Sequence, residues 1–197
     1  MRALILAFAI ALPVSAQGYR EPRHEGFFLR LDLGLGYFNS TASSGGIDSS
    51  ISGLGAGLGI AIGGNIAPNL AIYGHLFDAV VANPTIKVGS SSGSTNNTSA
   101  GIGGLGVGLT YYIMPLNVFL AGTVGFGPLS FSNNGTNSST QNGLVGRFGL
   151  GKEWFVSQSW GLGIAGYVNF GVNPDQGTNP PTWKTVAPLV ALSATFY

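Results

Sequence analysis

Residues 53–62 read Gly-Leu-Gly-Ala-Gly-Leu-Gly-Ile-Ala-Ile, and residues 104–113 read Gly-Leu-Gly-Val-Gly-Leu-Thr-Tyr-Tyr-Ile. In both stretches apolar side chains alternate with residues that are mostly glycine. A period of two places the two kinds of residue on opposite faces of an extended strand. Helices tolerate repeated glycine poorly, so both stretches predict β-strands.

The same alternation recurs in six further segments, which brings the number of predicted strands to eight. These segments are 27–37, 70–81, 118–126, 144–155, 160–170 and 186–196. The connections alternate between long and short; the long ones are 39–50, 82–99, 132–142 and 171–184, and the short ones are 63–69, 114–117 and 156–159. Long loops at one rim and short turns at the other are typical of transmembrane β-barrels.

The composition indicates which face of each strand meets lipid. Charged residues are 8% of the chain, against roughly 25% in ordinary globular proteins. Between Val88 and Gly146 there is no Asp, Glu, Lys or Arg. A Gly-rich face with so few charges is a poor water-facing surface, so we expect the Leu, Ile and Val face to meet lipid. This favours an all-β, antiparallel, up-and-down transmembrane barrel over a secreted sandwich or a lipocalin-like barrel.

Proline positions constrain the strands and argue against a helical membrane protein, which is the other alternative. The apolar stretch 105–127 is long enough for a membrane helix, but Pro115 and Asn117 split it where a short turn is expected. Pro128 and Pro188 each remove a ladder hydrogen bond. We expect both of them where strand pairing ends or bulges.

The amino-terminal residues predict export. Arg2 precedes an apolar run from Ala3 to Leu12, and small residues end at Ala16, as in a cleaved signal peptide. An amino-terminal membrane anchor is the alternative. We expect a signal peptide at 1–16, a solvated periplasmic lead-in at 17–25 and a barrel domain at 26–197. The barrel and lead-in then carry no net formal charge, which argues against nucleic acid, and the absence of cysteine excludes disulfides.

The chain from residue 17 onward resembles the small eight-stranded outer-membrane β-barrels of the OmpA/OmpX type. The resemblance rests on the export signal, the alternation of strands and loops, and the final strand ending Ser-Ala-Thr-Phe-Tyr at 193–197. It implies an outer-membrane location with both termini periplasmic and the long loops extracellular. The implied partners are outer-membrane lipid and the barrel-assembly machinery, which would read Phe196 or Tyr197. The chain is expected to be a monomer.

Two groups of side chains are candidate functional residues. Four charged residues fall on the predicted inner face and are expected to form an interior network that plugs the barrel; they are Arg30, Asp32, Arg147 and Glu153. Separate solvation of the four charges in a polar lumen is the alternative. Aromatic residues near the strand ends are expected to form an interface girdle; they are Phe27, Tyr111, Trp154, Trp160, Phe196 and Tyr197.

The sequence favours a structural or surface-interaction role without enzymatic activity, catalytic residues, cofactor or metal. A narrow porin-like channel is the first alternative, because small interior side chains could leave a water-filled path. A lipid-modifying outer-membrane enzyme is the second. His75 and Asp78 are the only candidate base and acid pair for that chemistry, because His24 is expected to lie in the solvated lead-in.

Overall fold

The computed structural model describes His24 and residues 26–197. The predicted signal peptide and all of the predicted lead-in except His24 lie outside the described residues. The strands are β1 (Phe27–Ser44), β2 (Ile47–Ala67), β3 (Leu70–Ala82), β4 (Thr85–Val88), β5 (Ser91–Ser94), β6 (Thr98–Ile113), β7 (Val118–Gly127), β8 (Leu129–Asn133), β9 (Thr136–Ser139), β10 (Gly143–Phe155), β11 (Trp160–Pro174) and β12 (Thr182–Phe196). Within the described part of the chain, no helix is long or apolar enough to cross a membrane.

Eight of these strands form a closed antiparallel ring in the order β1, β2, β3, β6, β7, β10, β11, β12. The ring closes where β12 pairs with β1, from Leu29 opposite Phe196 to Thr41 opposite Lys184. The predicted eight-stranded antiparallel barrel is therefore confirmed. Closure gives every strand of the ring two neighbours, which leaves no open sheet edge within the wall.

The two faces of the wall differ as the alternation predicts. Outward residues are large, apolar and exposed, as shown by Leu54 at 82%, Leu35 at 73% and Phe126 at 69%. The residues between them point into the barrel and are mostly buried, so the burial pattern of β11 and β12 alternates along nearly the whole strand. The Gly-rich face is thus the lumen lining.

The long connections contain more strand than predicted. Segment 39–50 continues β1 and β2 as a paired ribbon up to Ser44 opposite Ile47. Segment 82–99 holds the hairpin of β4 and β5, and 132–142 contains β9 paired with β8. Ser, Thr and Asn side chains are polar on both faces, so these ribbons lack the alternation that marks a strand in sequence, and backbone pairing alone continues them. The prediction of plain loops is wrong for these three segments.

The hairpin turns explain where the outer ribbons end. Gly45 and Gly46 have φ of 57° and 80°, and Asn134 and Gly135 have φ of 48° and 83°. Two successive residues with positive φ are the requirement of a tight two-residue hairpin turn. In the fourth connection β11 reaches Pro174 and β12 starts at Thr182, so only residues 175–181 lie between the strands.

The two prolines behave differently from one another. Pro128 separates β7 from β8, as expected for a residue at which pairing ends. Pro188 lies inside β12 and stays in register opposite Val168 of β11. On its other side, the ladder between β12 and β1 has no pair between Gly36 opposite Leu189 and Asn39 opposite Val186. Pro188 therefore interrupts one ladder without ending its strand.

Candidate functional site

The barrel interior contains the four charged residues that the sequence places there. Arg30 and Asp32 come from β1, and Arg147 and Glu153 come from β10. Their exposed fractions are 2%, 5%, 2% and 1%. The structure arranges them as two ion pairs at two levels, each pair joining β1 to β10 across the lumen.

The lower level is built around the carboxylate of Glu153. Arg30 Nη2 lies 3.0 Å from Glu153 Oε1, and Thr195 Oγ1 donates to the same oxygen at 2.7 Å. The hydroxyls of Tyr112 and Tyr197 donate to Oε2. The Arg30 guanidinium also lies 4.0 Å from the ring centre of Phe119. The hydrogen bonds, the ion pair and the cation–π contact together compensate the cost of burying the charges of Arg30 and Glu153.

His24 lies inside the barrel below this level. Its exposed fraction is 1%, and its ring stacks on Tyr112 with 3.7 Å between centroids. Nδ1 is 3.2 Å from Oδ1 of Asn69 in the turn between β2 and β3. Burial lowers the pKa of His24 below its ordinary value. The prediction that His24 belongs to a solvated lead-in is wrong. Its charged neighbours in sequence indicated exposure to solvent, whereas its stacking contact with Tyr112 forms only in the folded barrel.

The upper level is built around Arg147. Its Nη1 lies 3.9 Å from Asp32 Oδ2, and its Nε donates to Asn169 Oδ1 at 2.6 Å. Tyr167 donates to Asp32 Oδ1 at 3.1 Å. The four charges thus lie close enough to interact, but Arg147 and Asp32 are held mainly through neighbouring polar groups.

Arg147 also forms hydrogen bonds where the backbone pairing of the opposite wall is interrupted. The ladder between β2 and β3 has no pair between Ala56 opposite Val80 and Gly59 opposite Phe77. Arg147 Nη2 donates to the carbonyls of Leu58 and Asp78 at 2.9 and 3.0 Å, and Asp78 Oδ1 accepts from the Leu58 N–H at 2.8 Å. A side chain from β10 therefore replaces missing backbone pairing across the lumen. Sequence reasoning missed this role, because a local ladder break leaves no mark in the strand pattern.

Above the two ion pairs the lumen is filled by apolar side chains. This upper cluster consists of Phe38, Ile51, Phe77, Ala79, Val81, Ala100, Ile102, Leu129, Val145 and Ala187. All of them are buried, and Ile86, Phe131 and Trp183 pack against them toward the outer rim. The sequence offered only the alternation of inward and outward residues as a signal for this cluster, whose members lie in the outer parts of the predicted strands or just beyond their ends.

The lumen glycines make room for large side chains of neighbouring strands. A Cβ atom on Gly149 would lie 2.1 Å from the Tyr167 ring, and one on Gly108 would lie 2.3 Å from the Tyr73 ring. A side chain at either position would force the neighbouring ring or the wall to move. At these two positions of the glycine-rich face, an aromatic ring from a neighbouring strand therefore occupies the space beside glycine.

The structure does not bring His75 and Asp78 together. His75 points into the lumen, where Nδ1 lies 2.7 Å from Thr123 Oγ1. Asp78 lies on the alternate face and bonds within the wall to Leu58. The one pair that the sequence offered for catalysis is therefore not assembled.

The predicted aromatic girdle is partly realised. Phe27, Tyr111 and Trp154 are about half exposed on the outer surface, and Trp160 packs against Phe196 with 5.3 Å between centroids. Tyr197 departs from the prediction, because its hydroxyl bonds to Glu153 and Tyr112 inside the barrel. Tyr197 follows the last strand, so the alternation of faces along that strand does not fix its direction, and its side chain points inward.

Comparison with solved structures places the fold among known barrels. The surface protein NspA of Neisseria superposes with a TM-score of 0.53 at 14% identity, covering 87% of this chain and 96% of NspA. The outer membrane protein OprG of Pseudomonas aeruginosa has a TM-score of 0.48 at 13% identity, covering 88% and 98%. The outer membrane protease OmpT of Escherichia coli has a TM-score of 0.45 at 9% identity, covering 90% and 98%.

Sequence comparison adds no nearer relative, because no protein-family model and no curated protein matches the chain. The assignment therefore depends on the closed ring of eight antiparallel strands and its superposition on NspA. The chain has the fold of the small eight-stranded outer-membrane β-barrels of the OmpA/OmpX type.

Proposed function

We propose that this protein is an integral outer-membrane barrel, closed to bulk flow, that acts through structure and through its outer hairpins. The outward face of the ring supports membrane insertion. Residues along this face are apolar and exposed on every strand of the ring, and Leu54, Leu105 and Leu192 are each exposed by more than 60%. A band of this kind is stable in hydrocarbon and unfavourable in water.

The proposal of a closed lumen rests on the stack of buried side chains along the barrel axis. His24 and Tyr112 close the short-turn end, the two ion pairs occupy the middle and the upper cluster fills the outer half. Eight strands enclose an interior just wide enough for side chains to fill. We infer that this interior does not conduct, in contrast to a narrow porin-like channel.

The outer hairpins are the surface left for interaction. The ribbon of β1 and β2, the hairpin of β4 and β5 and the hairpin of β8 and β9 extend beyond one rim. Their residues are exposed and rich in Ser, Thr, Asn and Gly. Short turns at the opposite rim favour an orientation with these hairpins outside the cell and the barrel ends in the periplasm.

Single-channel recording tests the closed lumen. We expect the refolded protein, inserted in a planar lipid bilayer and counted by a fluorescent label, to give no stable ohmic steps. A barrel in which His24→Ala and Arg30→Ala open the lower end and Arg147→Ala and Phe77→Ala open the middle and outer levels serves as a control, and it should conduct more often than the parent. Stable steps from the unaltered protein would instead support the channel.

Enzymatic activity is tested separately through His75. If a lipid-modifying activity were found, the buried position of His75 predicts that His75→Ala leaves the turnover unchanged. Loss of turnover in a variant that still folds would contradict this and place His75 in the active site.

A further inference from the structure

Polar atoms from three strands converge over the Cα atom of Gly59 in the middle of the lumen. A Cβ atom at position 59 would lie 2.5 Å from Arg147 Nη1, 3.0 Å from Asp32 Oδ2 and 3.1 Å from His75 Nε2. Each of these three side chains is at least 95% buried. Gly59 thus faces a compact polar site to which β1, β3 and β10 each contribute one group.

The groups at this site are not satisfied by one another. Arg147 Nη1 and His75 Nε2 are buried, and neither has a hydrogen-bond partner among the described residues. The 3.9 Å between Arg147 Nη1 and Asp32 Oδ2 is too long for a direct hydrogen bond.

Buried polar groups in folded proteins are almost always paired, either with protein or with ordered water. The chemistry of the site selects the occupant. An anion would lie against the Asp32 carboxylate, and a cation would lie against the Arg147 guanidinium. A small group that both donates and accepts hydrogen bonds satisfies both neighbours at once.

We propose that the three polar groups beside Gly59 form a binding site for a resident water molecule that bridges Arg147, Asp32 and His75. The water accepts a hydrogen bond from Arg147 Nη1 and donates to Asp32 Oδ2. Its second hydrogen points to His75 Nε2, which requires that His75 carries its proton on Nδ1 and donates to Thr123 Oγ1 at 2.7 Å. The proposal goes beyond the closed lumen and assigns both a ligand and a tautomer.

The chain is suited to a direct test because it has only two histidines. The protein is labelled with 15N-histidine, reconstituted in lipid bilayers and studied by water-edited solid-state NMR, with His24→Gln used to assign His75. We expect the His75 ring to be protonated at Nδ1 only and its Nε2 to show a cross-peak to bound water. Protonation at Nε2, or the absence of a water contact there, would overturn the proposal.

Glycine variants provide the matched comparison. Gly59→Ala places a methyl group 2.5 Å from Arg147 Nη1, which must move away from the bridging position, and should remove the cross-peak, whereas Gly166→Ala, whose Cβ meets nothing within 4 Å, should preserve it. A cross-peak that survives in Gly59→Ala would indicate bulk water and contradict a held molecule. If Gly59→Ala does not fold, a high-resolution crystal structure of the unaltered protein decides, since the proposal requires solvent density between the three groups.

Discussion

At the scale of single residues, Glu153 shows how a charge is accommodated inside the barrel. One carboxylate accepts hydrogen bonds from Arg30, Tyr112, Thr195 and Tyr197. These donors come from three parts of the chain, namely β1, β6 and the carboxyl-terminal end, so they meet only because the ring is closed. The alternation of inward and outward residues along β10 was sufficient to place the Glu153 carboxylate inside the barrel. Its hydrogen-bond partners, however, depend on the order and tilt of the strands in the ring, which this alternation does not show.

Replacing this carboxylate should weaken the barrel. Glu153→Gln leaves Arg30 buried without its counter-charge, and breaking a buried pair costs about 3–5 kcal/mol. We therefore expect a lower midpoint of thermal unfolding in detergent. Asp48→Asn on the exposed outer ribbon is the control and should change stability by no more than about 0.5 kcal/mol. Equal midpoints for the two variants would argue against an energetically important ion pair.

His24 should make stability depend on pH. Because burial lowers its pKa in the folded protein, the unfolded chain takes up a proton first as the pH falls below the ordinary value of about 6.5. The unfolded state then binds more protons, so stability decreases toward acid. The unfolding midpoint measured at pH 7.5 and pH 5.5 should fall more for the parent than for His24→Gln. An identical pH dependence in both proteins would show that His24 does not contribute.

At the scale of strands, the glycines and the aromatic residues form one packing system. Gly151 illustrates it, because a Cβ there would lie 2.5 Å from the Phe119 ring and 2.8 Å from Ala165 Cβ. The glycines at every second position therefore have to be interpreted at two levels, in the sequence and in the structure. The sequence shows that one face is small, whereas only the structure shows which aromatic ring fills each position.

A pair of glycine substitutions tests this packing. Gly151→Ala forces Phe119 or the wall to move, and overpacking of this kind costs about 1–3 kcal/mol. Gly166→Ala adds a methyl group on the lipid-facing side with no atom within 4 Å, so its stability should be unchanged or slightly higher. The comparison is made by equilibrium unfolding in urea with lipid vesicles. Similar losses in both variants would refute the packing role.

The strands that cross the barrel were predictable and the outer ribbons were not, for the same physical reason. Inside the wall, lipid and lumen impose different side chains on alternate residues, and this difference produces the period of two. In the outer ribbon the side chains are small or polar on both faces, although Ser40 and Ala42 still point inward and are buried, so the pairing from Asn39 to Ser50 leaves no apolar alternation in the sequence. Ala56 and Leu58 show a third case, in which the pattern continues across a broken ladder.

At the scale of the whole molecule, the long ribbons and the short turns lie at opposite ends of the barrel, so its orientation in the membrane can be tested. The chain has no cysteine, so single cysteines provide unique labels. Ser44→Cys at the outer ribbon should react with a membrane-impermeant maleimide on intact cells. Ser157→Cys, exposed in a short turn, should react only after the outer membrane is opened. The opposite labelling pattern would invert the proposed orientation.

The central claim is that this chain is a membrane barrel whose apolar face meets lipid. Its most direct test is fractionation of the cell envelope followed by gel electrophoresis in detergent with and without boiling. We expect the protein in the outer-membrane fraction, with a compact unboiled form that changes mobility when heat unfolds the closed ring. Recovery as a soluble periplasmic protein with heat-independent mobility would contradict the account.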